Sequence, residues 1–538
     1  MRACREWFEL VGERPLMVLM SFCRAARRRR RALTRMGAAA MAIASLAGCM
    51  AGPDYVRPAD VVPAQFKEGG GVAKGTAETR KGWKPIAPLD EADRGPWWRV
   101  FDDPPLSKLL AEVEFSNQNV AAAAAAYDQA QQIIRQGQSG LFPTITTNYA
   151  PTRRRTPSSG GDAVYSNGFS NASNASWELD VWGRIRRTIE ADAASAQASA
   201  ADLANAKLSA QIQLAAAYFN LRATDELQAL YEETLVLFRR TRDISKNQYS
   251  VGTTSRADFI TADNQLLTTE AAAIQTGVQR AQFEHAIAVL IGRSPSDFSI
   301  PKGRWKAKKP PAIPAGVPSE LLERRPDIAA AERDLQSRNA LIGVAIANFY
   351  PRVSLTAALS FAATQPWPVA VANESWSLAG SAAQTLFDGG LLDAQRAAAV
   401  ASYSQAVASY RQTVLTAFGQ VEDQLATIRL TAQQVARLDR AVEEAREAVS
   451  IYLNQYREGT VVFTSVANAQ STLISNIRSA VSARQSLYVA TVDLVGALGG
   501  GWDASRLPPI DELSRIAAPP PPVPASALAA SVAQPDSR

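Results

Sequence analysis

Few side chains in this 538-residue sequence can do covalent or proton-transfer chemistry. His285 is the single histidine, and the cysteines are Cys4, Cys23 and Cys49. A Ser-His-Asp or Cys-His centre needs an imidazole to take the nucleophile's proton, so it would have to be built on His285. That residue lies in the apolar-rich stretch 283–290 and reads as an ordinary helix position. One histidine with so few thiols and thioethers gives no soft-ligand set for a metal. No Gly-x-x-x-x-Gly-Lys-Ser/Thr loop is present to cradle a nucleotide's phosphates. The expectation is therefore no enzyme, no metal, no cofactor and no energy source within the chain. Asp162, Asp180 and Asp388 fall near turn-rich stretches and read as loop or rim charges.

The one reactive group in a telling context is the thiol of Cys49. Arg27 to Arg31 and Arg35 form a positive segment, followed by an apolar stretch at 36–47. About 12 residues is too short for a spanning helix, which needs roughly 20. The stretch ends in Leu46-Ala47-Gly48-Cys49. This resembles a bacterial lipobox, whose cysteine is lipidated and becomes the first residue of the mature protein. An ordinary buried cysteine after a small-residue cleavage site is the plainer alternative. Residues 1–48 are read as the signal peptide, with Met20 an alternative start. Met50 rather than Asp follows Cys49, and by the same resemblance this favours sorting to the outer membrane.

Removing the signal changes the charge. Residues 1–48 hold ten Arg and three Glu, so the formal net charge of +6 falls to −1, with 47 basic and 48 acidic residues left. The basic character belongs to the signal and gives no reason to expect a nucleic-acid partner. Only Cys49 remains after cleavage, so no intramolecular disulfide can form.

The elements around these residues are duplicated, about 207 residues apart. Leu141-Phe142-Pro143 recurs as Phe349-Tyr350-Pro351, and Val181-Trp182-Gly183 as Phe387-Asp388-Gly389. Gln248-Tyr249-Ser250-Val251-Gly252-Thr253 recurs as Gln455-Tyr456-Arg457-Glu458-Gly459-Thr460. The division expected is a Pro/Gly-rich extended tether at 49–104, repeat 1 at 105–292, a proline-rich linker at 293–318 and repeat 2 at 319–500. A C-terminal segment at 501–538 ends in a Pro/Ala-rich tail expected to be disordered. Within repeat 1, a helix is expected over 106–137 and strands over 144–155 and 170–182. The second copy gives strands over 352–364 and 375–387. From 183 to about 248 the chain lacks proline and internal glycine, and predicts a helix roughly 95–100 Å long. A second helix runs from Gly252 to Leu290, and its counterpart follows Gly459.

Strands of this length suit a tilted crossing of a bilayer. Four of them cannot close a sheet in lipid, where unpaired edges are excluded, and the smallest barrels need about eight. Several copies must therefore share one barrel, with the long alanine-rich helices continuing below it as a tube. A coiled-coil scaffold carrying incidental hairpins is the alternative.

The sequence resembles the outer-membrane efflux ducts of the TolC-like class, in particular the NodT-type lipoproteins. The resemblance rests on Gly52-Pro53-Asp54-Tyr55-Val56-Arg57-Pro58, on Trp97-Trp98 with Phe101, Asp103-Pro104 and Leu106, and on Trp177-Glu178-Leu179-Asp180-Val181-Trp182-Gly183-Arg184. Arg324-Arg325-Pro326-Asp327-Ile328 with Ala331-Glu332, and Phe387-Asp388-Gly389-Gly390, complete it. It implies a mixed α/β membrane protein. Three chains would form a trimeric 12-stranded outer-membrane β-barrel, four strands per chain, continued by a long periplasmic α-helical barrel. It also implies a lipid on Cys49, and docking to a periplasmic adaptor and an inner-membrane pump that drives export.

On the same resemblance, the glycine turns form the periplasmic mouth. Gly252 and Gly459 supply the positive φ a tight helix end needs. Tyr456 and Asp258 match a Tyr and an Asp that close the family's mouth. Val461 stands where the family has an Arg, while Ser465 and Asn468 stand where some relatives carry acidic residues. Arg256 and Asp263 are local substitutes or simply solvated helix charges, and Tyr456 also reads as a helix-end packing residue. The implied function is the passive exit duct for drugs or other small toxic compounds. The alternative is a conduit for secreted polypeptides or for a single exported metabolite.

Overall fold

A computed structural model describes residues 50–59, 63, 65–68, 96–157, 160, 162–303, 305, 309–313, 318, 321–364 and 373–515. The expected signal peptide, Cys49, most of the tether and the tail beyond residue 515 lie outside them. The chain divides into two compact units, one holding the sheet and one holding most of the helices.

The sheet unit contains β1 (Thr144–Thr156), β2 (Val164–Leu179), β3 (Arg352–Ala363) and β4 (Asn373–Ala383). They form one antiparallel sheet in the order β1-β2-β3-β4, so β1 and β4 are its edges. β2 pairs with β3 from Phe169 opposite Ala363 to Leu179 opposite Val353, which joins the two halves of the duplication directly. Landmark residues of the two copies also meet. The Trp182 indole stacks on Tyr350 at 4.7 Å and its Nε1 donates to the Pro351 carbonyl at 2.8 Å. Apolar side chains stand out of this sheet: Ile145, Trp376 and Leu378 are each more than 70% exposed in the single chain.

Three strand boundaries differ from expectation by three residues or more. β2 begins six residues early because its Ser/Asn/Gly-rich start pairs with the end of β1, Thr156 opposite Val164. It stops at Leu179 rather than 182 because Asp180 turns back to cap the following helix. Its two carboxylate oxygens accept from the Ile185 and Arg186 amides at 2.9 and 3.0 Å. Asp388 caps the following helix in the second copy, accepting from the Gly390 and Leu392 amides, and β4 ends at Ala383 and not at 387. These aspartates are helix caps, a role the sequence pattern alone does not reveal. Backbone amides hold the Asp388 carboxyl below the usual carboxylate range.

The helical unit opens with α1 (Pro104–Ser116) and α2 (Gln118–Ser139). One helix over 106–137 was expected, but Asn117 breaks it with extended backbone, φ −73° and ψ 123°. Its Oδ1 accepts from the Asn119 and Val120 amides, starting α2, while its Nδ2 donates to the Leu290 carbonyl at 2.8 Å. A long and a shorter helix follow each hairpin: in the first half α3 (Arg184–Ser250), with 67 residues, precedes α4 (Arg256–Leu290), with 35. In the second half, α5 (Pro326–Ala347) precedes β3 and β4, then come α6 (Leu391–Arg457) and α7 (Phe463–Ala497), again 67 and 35 residues. A rise of 1.5 Å per residue makes each long helix about 100 Å. The break at Asn117 also has its repeat: Arg325, just before Pro326 at the start of α5, donates to the Ala497 carbonyl at 2.9 Å. Among the described residues no helix is long and apolar enough to cross a membrane.

The core of the helical unit runs along the long helices. Leu214, Tyr218 and Leu221, the periodic residues of α3, are buried, and Val421 repeats them on α6. What is described of the tether lies against helices: Arg57 donates to the Tyr410 hydroxyl at 3.0 Å, and Phe66 is buried beside Leu321, Val414 and Phe418.

Candidate functional site

The two glycine turns are built alike. Gly252 has φ 78° and Gly459 has φ 75°, the left-handed conformation in which a Cβ is strained. The Gly252 and Thr253 amides donate to the Tyr249 and Gln248 carbonyls at 3.0 and 2.9 Å. Those of Gly459 and Thr460 donate to Tyr456 and Gln455 at 3.1 and 2.9 Å. This pattern satisfies the last carbonyls of α3 and α6. In each turn the threonine hydroxyl adds a bond to the same glutamine carbonyl.

Beyond the glycines the copies diverge. In the first, Ser255 caps α4: its Oγ accepts from the Asp258 amide at 3.1 Å, and Asp258 Oδ2 accepts from the Ser255 amide at 3.3 Å. This reciprocal capping box ties Asp258 to its own helix start. Asp258 Oδ2 also accepts from the Thr254 hydroxyl at 2.8 Å. In the second copy, Val461 and Val462 replace Thr254 and Ser255, and Val462 caps α7 without a side-chain bond. The turn is held instead by apolar burial. Phe463 is fully buried, and its ring meets Tyr456 edge-on at 5.3 Å. Leu453, Val466 and Ala467 from the second copy and Ala262 from the first complete the cluster.

Tyr456 is thus buried, whereas its first-copy counterpart Tyr249 is 42% exposed and stacks on Phe259. The phenol oxygen of Tyr456 lies 3.4 Å from the Thr254 hydroxyl, so Tyr456 and Asp258 connect through Thr254. Arg256 is exposed and Asp263 half-buried, and neither side chain forms a hydrogen bond or ion pair among the described residues. The structure therefore brings together Tyr456, Thr254 and Asp258, and leaves Arg256 and Asp263 aside. Thr254 and Phe463 were missed in the sequence. The Ser255-x-x-Asp258 spacing of a capping box is legible in the sequence, but it marks Ser255 and Asp258 and not Thr254.

A second missed cluster fastens the start of the inter-repeat linker. Asp225 of α3 is buried, and accepts from Arg222 at 3.0 Å, from Arg280 at 2.7 Å and from the Gly303 amide at 3.2 Å. Arg280 and Arg222 also donate to the Ile300 and Pro301 carbonyls, and Glu284 accepts from the Ile300 amide. A third joins three helices. Arg484 of α7 bridges Glu226 of α3 at 2.7 Å and Asp439 of α6 at 2.6 Å.

A family model described as "Outer membrane efflux protein" matches residues 109–293 and 317–500, the two halves of the duplication. The toluene efflux pump outer membrane protein TtgC of Pseudomonas putida is 29% identical over 467 residues, 85% of this chain and 93% of that protein. The pyoverdine export outer membrane protein OpmQ of Pseudomonas aeruginosa is 28% identical, over 78% of this chain and 90% of its own. The solved outer-membrane channel OprN is 30% identical, with a TM-score of 0.72 over 84% of this chain and all of that one. The likeness bears out the fold class read from the sequence and the efflux-duct resemblance.

Proposed function

We propose a passive exit duct, on the premise that this chain belongs to the outer membrane efflux protein family. It is an efflux channel of the outer membrane. The observation that carries the duct reading is the four-stranded sheet with two open edges, β1 and β4. Unpaired strand edges are excluded from lipid, so copies of the chain join edge to edge. Three copies give a 12-stranded barrel, within the range that transmembrane barrels adopt. Lipid attached at Cys49 anchors each chain from the periplasmic side. No phosphate loop serves the chain, so an inner-membrane pump acting through a periplasmic adaptor supplies the energy.

The periplasmic mouth sits at the glycine turns, where the contact from Tyr456 to Thr254 and Asp258 holds it shut. The cargo is small toxic compounds, as the name of the toluene pump protein TtgC suggests. The name of OpmQ, for pyoverdine export, supports the second reading, a duct dedicated to one metabolite.

Deleting this gene and its neighbouring pump gene separately, then comparing compound sensitivity and culture-medium proteins, tests the assignment. Equal hypersensitivity to several small compounds is expected. Loss of one secreted product with unchanged sensitivity would replace the efflux reading. Native mass measurement in detergent should give three chains, and Cys49→Ser should abolish lipid labelling.

A further inference from the structure

Several arginines in the middle of the helical unit are paired with carboxylates. Arg222 and Arg280 share Asp225, and Arg484 of α7 holds two carboxylates. Arg478, six residues before Arg484 on the same helix, has no carboxylate partner among the described residues. It lines a groove of about 1070 Å³ between α3, α4 and α7. The groove contains no other charged residue. Its walls are amides and hydroxyls, among them Gln279, Gln282, Ser475 and Ser482, and Tyr231, Phe283 and Ile474 supply apolar surface. Tyr231 is buried, and the Arg478 charge opposes the upward push that burial gives its phenol.

A cation left without a counter-ion, in a groove lined otherwise by neutral polar groups, attracts an anion and repels a cation. The guanidinium presents two parallel N–H donors that match a carboxylate. The volume lies just above the range for drug-sized ligands, about 300–1,000 Å³. We propose that this groove is a subsite for amphiphilic organic anions, with Arg478 anchoring the carboxylate and Tyr231, Phe283 and Ile474 receiving the apolar body. The subsite gives an otherwise passive duct a preference by charge. It goes beyond the exit-duct reading, and its test is binding and not export. Failure of one leaves the other standing.

The test compares 1-naphthoate with the uncharged 1-naphthalenemethanol, on the assembled protein in lipid nanodiscs, by ligand-observed NMR. Wild type should bind the anion about fivefold to tenfold more tightly than the alcohol, the weight of one charge-assisted contact at a wet site. Arg478→Gln should erase the difference, and Arg478→Lys should keep part of it. Arg478 is exposed, so neither change disturbs the core. Equal binding of the two probes to wild type, absence of naphthoate binding, or an undiminished preference in Arg478→Gln would each overturn the proposal.

Discussion

Tyr456 of the second copy reaches the first copy at Thr254, with 3.4 Å between the two hydroxyl oxygens. The contact joins a turn built from hydrogen bonds to a turn built from buried rings. Asp258 is already committed to its capping box and to Thr254, so it serves the contact through the threonine. At 3.4 Å the Tyr456 bond is long and weak, and the burial of its ring against Phe463 contributes more to holding the turn.

Packing and hydrogen bonding at this contact make separable predictions. Tyr456→Phe keeps the ring and should change tip stability by less than about 0.5 kcal/mol, because the lost bond is long. Tyr456→Ala should cost about 3–5 kcal/mol through the cavity it leaves. Thr254→Val removes the 2.8 Å bond to Asp258 and should cost about 1 kcal/mol. Hydrogen exchange at the turns measures all three, and single-channel conductance reports whether the mouth loosens in the same order. If Tyr456→Phe matched Tyr456→Ala, the phenol and not the packing would be holding the turn.

The positive-φ glycines divide into two classes. Gly252 and Gly459 have open space around the position a Cβ would occupy, so alanine there should cost only backbone strain, about 1–2 kcal/mol. At Gly292 and Gly499 the Cβ would run into the carbonyls of Ser116 and Arg324. Alanine at either should cost about 3 kcal/mol or more, since strain and overpacking add. Thermal unfolding of the four variants checks the split. The two sensitive glycines lie at the joints marked by Asn117 and Arg325, where the end of each return helix meets the start of its repeat.

Much of this architecture was legible because the signals were local or periodic. The long helices announce themselves by missing proline and glycine, and the duplication fixes their ends at Gly252 and Gly459. The break at Asn117 was hidden because its flanks are good helix formers. What settles it includes the Leu290 carbonyl, 173 residues away. The start of β2 was hidden because Ser, Asn and Gly lack strand propensity, and the ladder with β1 overrides that. At the glycine turns, Tyr456 and Asp258 were singled out by resemblance. The threonine between them was not, since its role depends on a partner from the other copy.

The Asp225 clasp predicts a large effect away from the glycine turns. Asp225→Asn removes the charge that two arginines share, and each arginine side chain is only 11% exposed. Stranding buried cations is costly, so the expected loss is about 3–5 kcal/mol. Thermal unfolding should register it, and limited proteolysis should show the segment around Ile300 to Gly303 released first. A loss under about 1 kcal/mol would mean that the carbonyls of Ile300 and Pro301 suffice to hold the arginines.

Glu226 gives the remaining prediction, on pH. Burial is the main cause that holds its carboxyl above the ordinary value of 4.5, Asp439 adds to the rise, and Arg484 opposes it. Its Oε2 is buried with no hydrogen-bond partner among the described residues, which fits a group that gives up its charge readily. The folded state therefore holds this proton more tightly than the unfolded chain does. Its contribution to stability is greatest below the unfolded value and declines as pH rises through the folded one. Other carboxyls with raised values, Asp192, Asp202 and Asp493, slope the same way, so the readout is the difference between wild type and Glu226→Gln. Unfolding temperatures from about pH 4.5 to 7.5 should fall less steeply in the variant, because glutamine has no proton to lose. Parallel slopes would mean that Arg484 compensates the burial of Glu226 in full, and that the three-helix bridge is indifferent to pH.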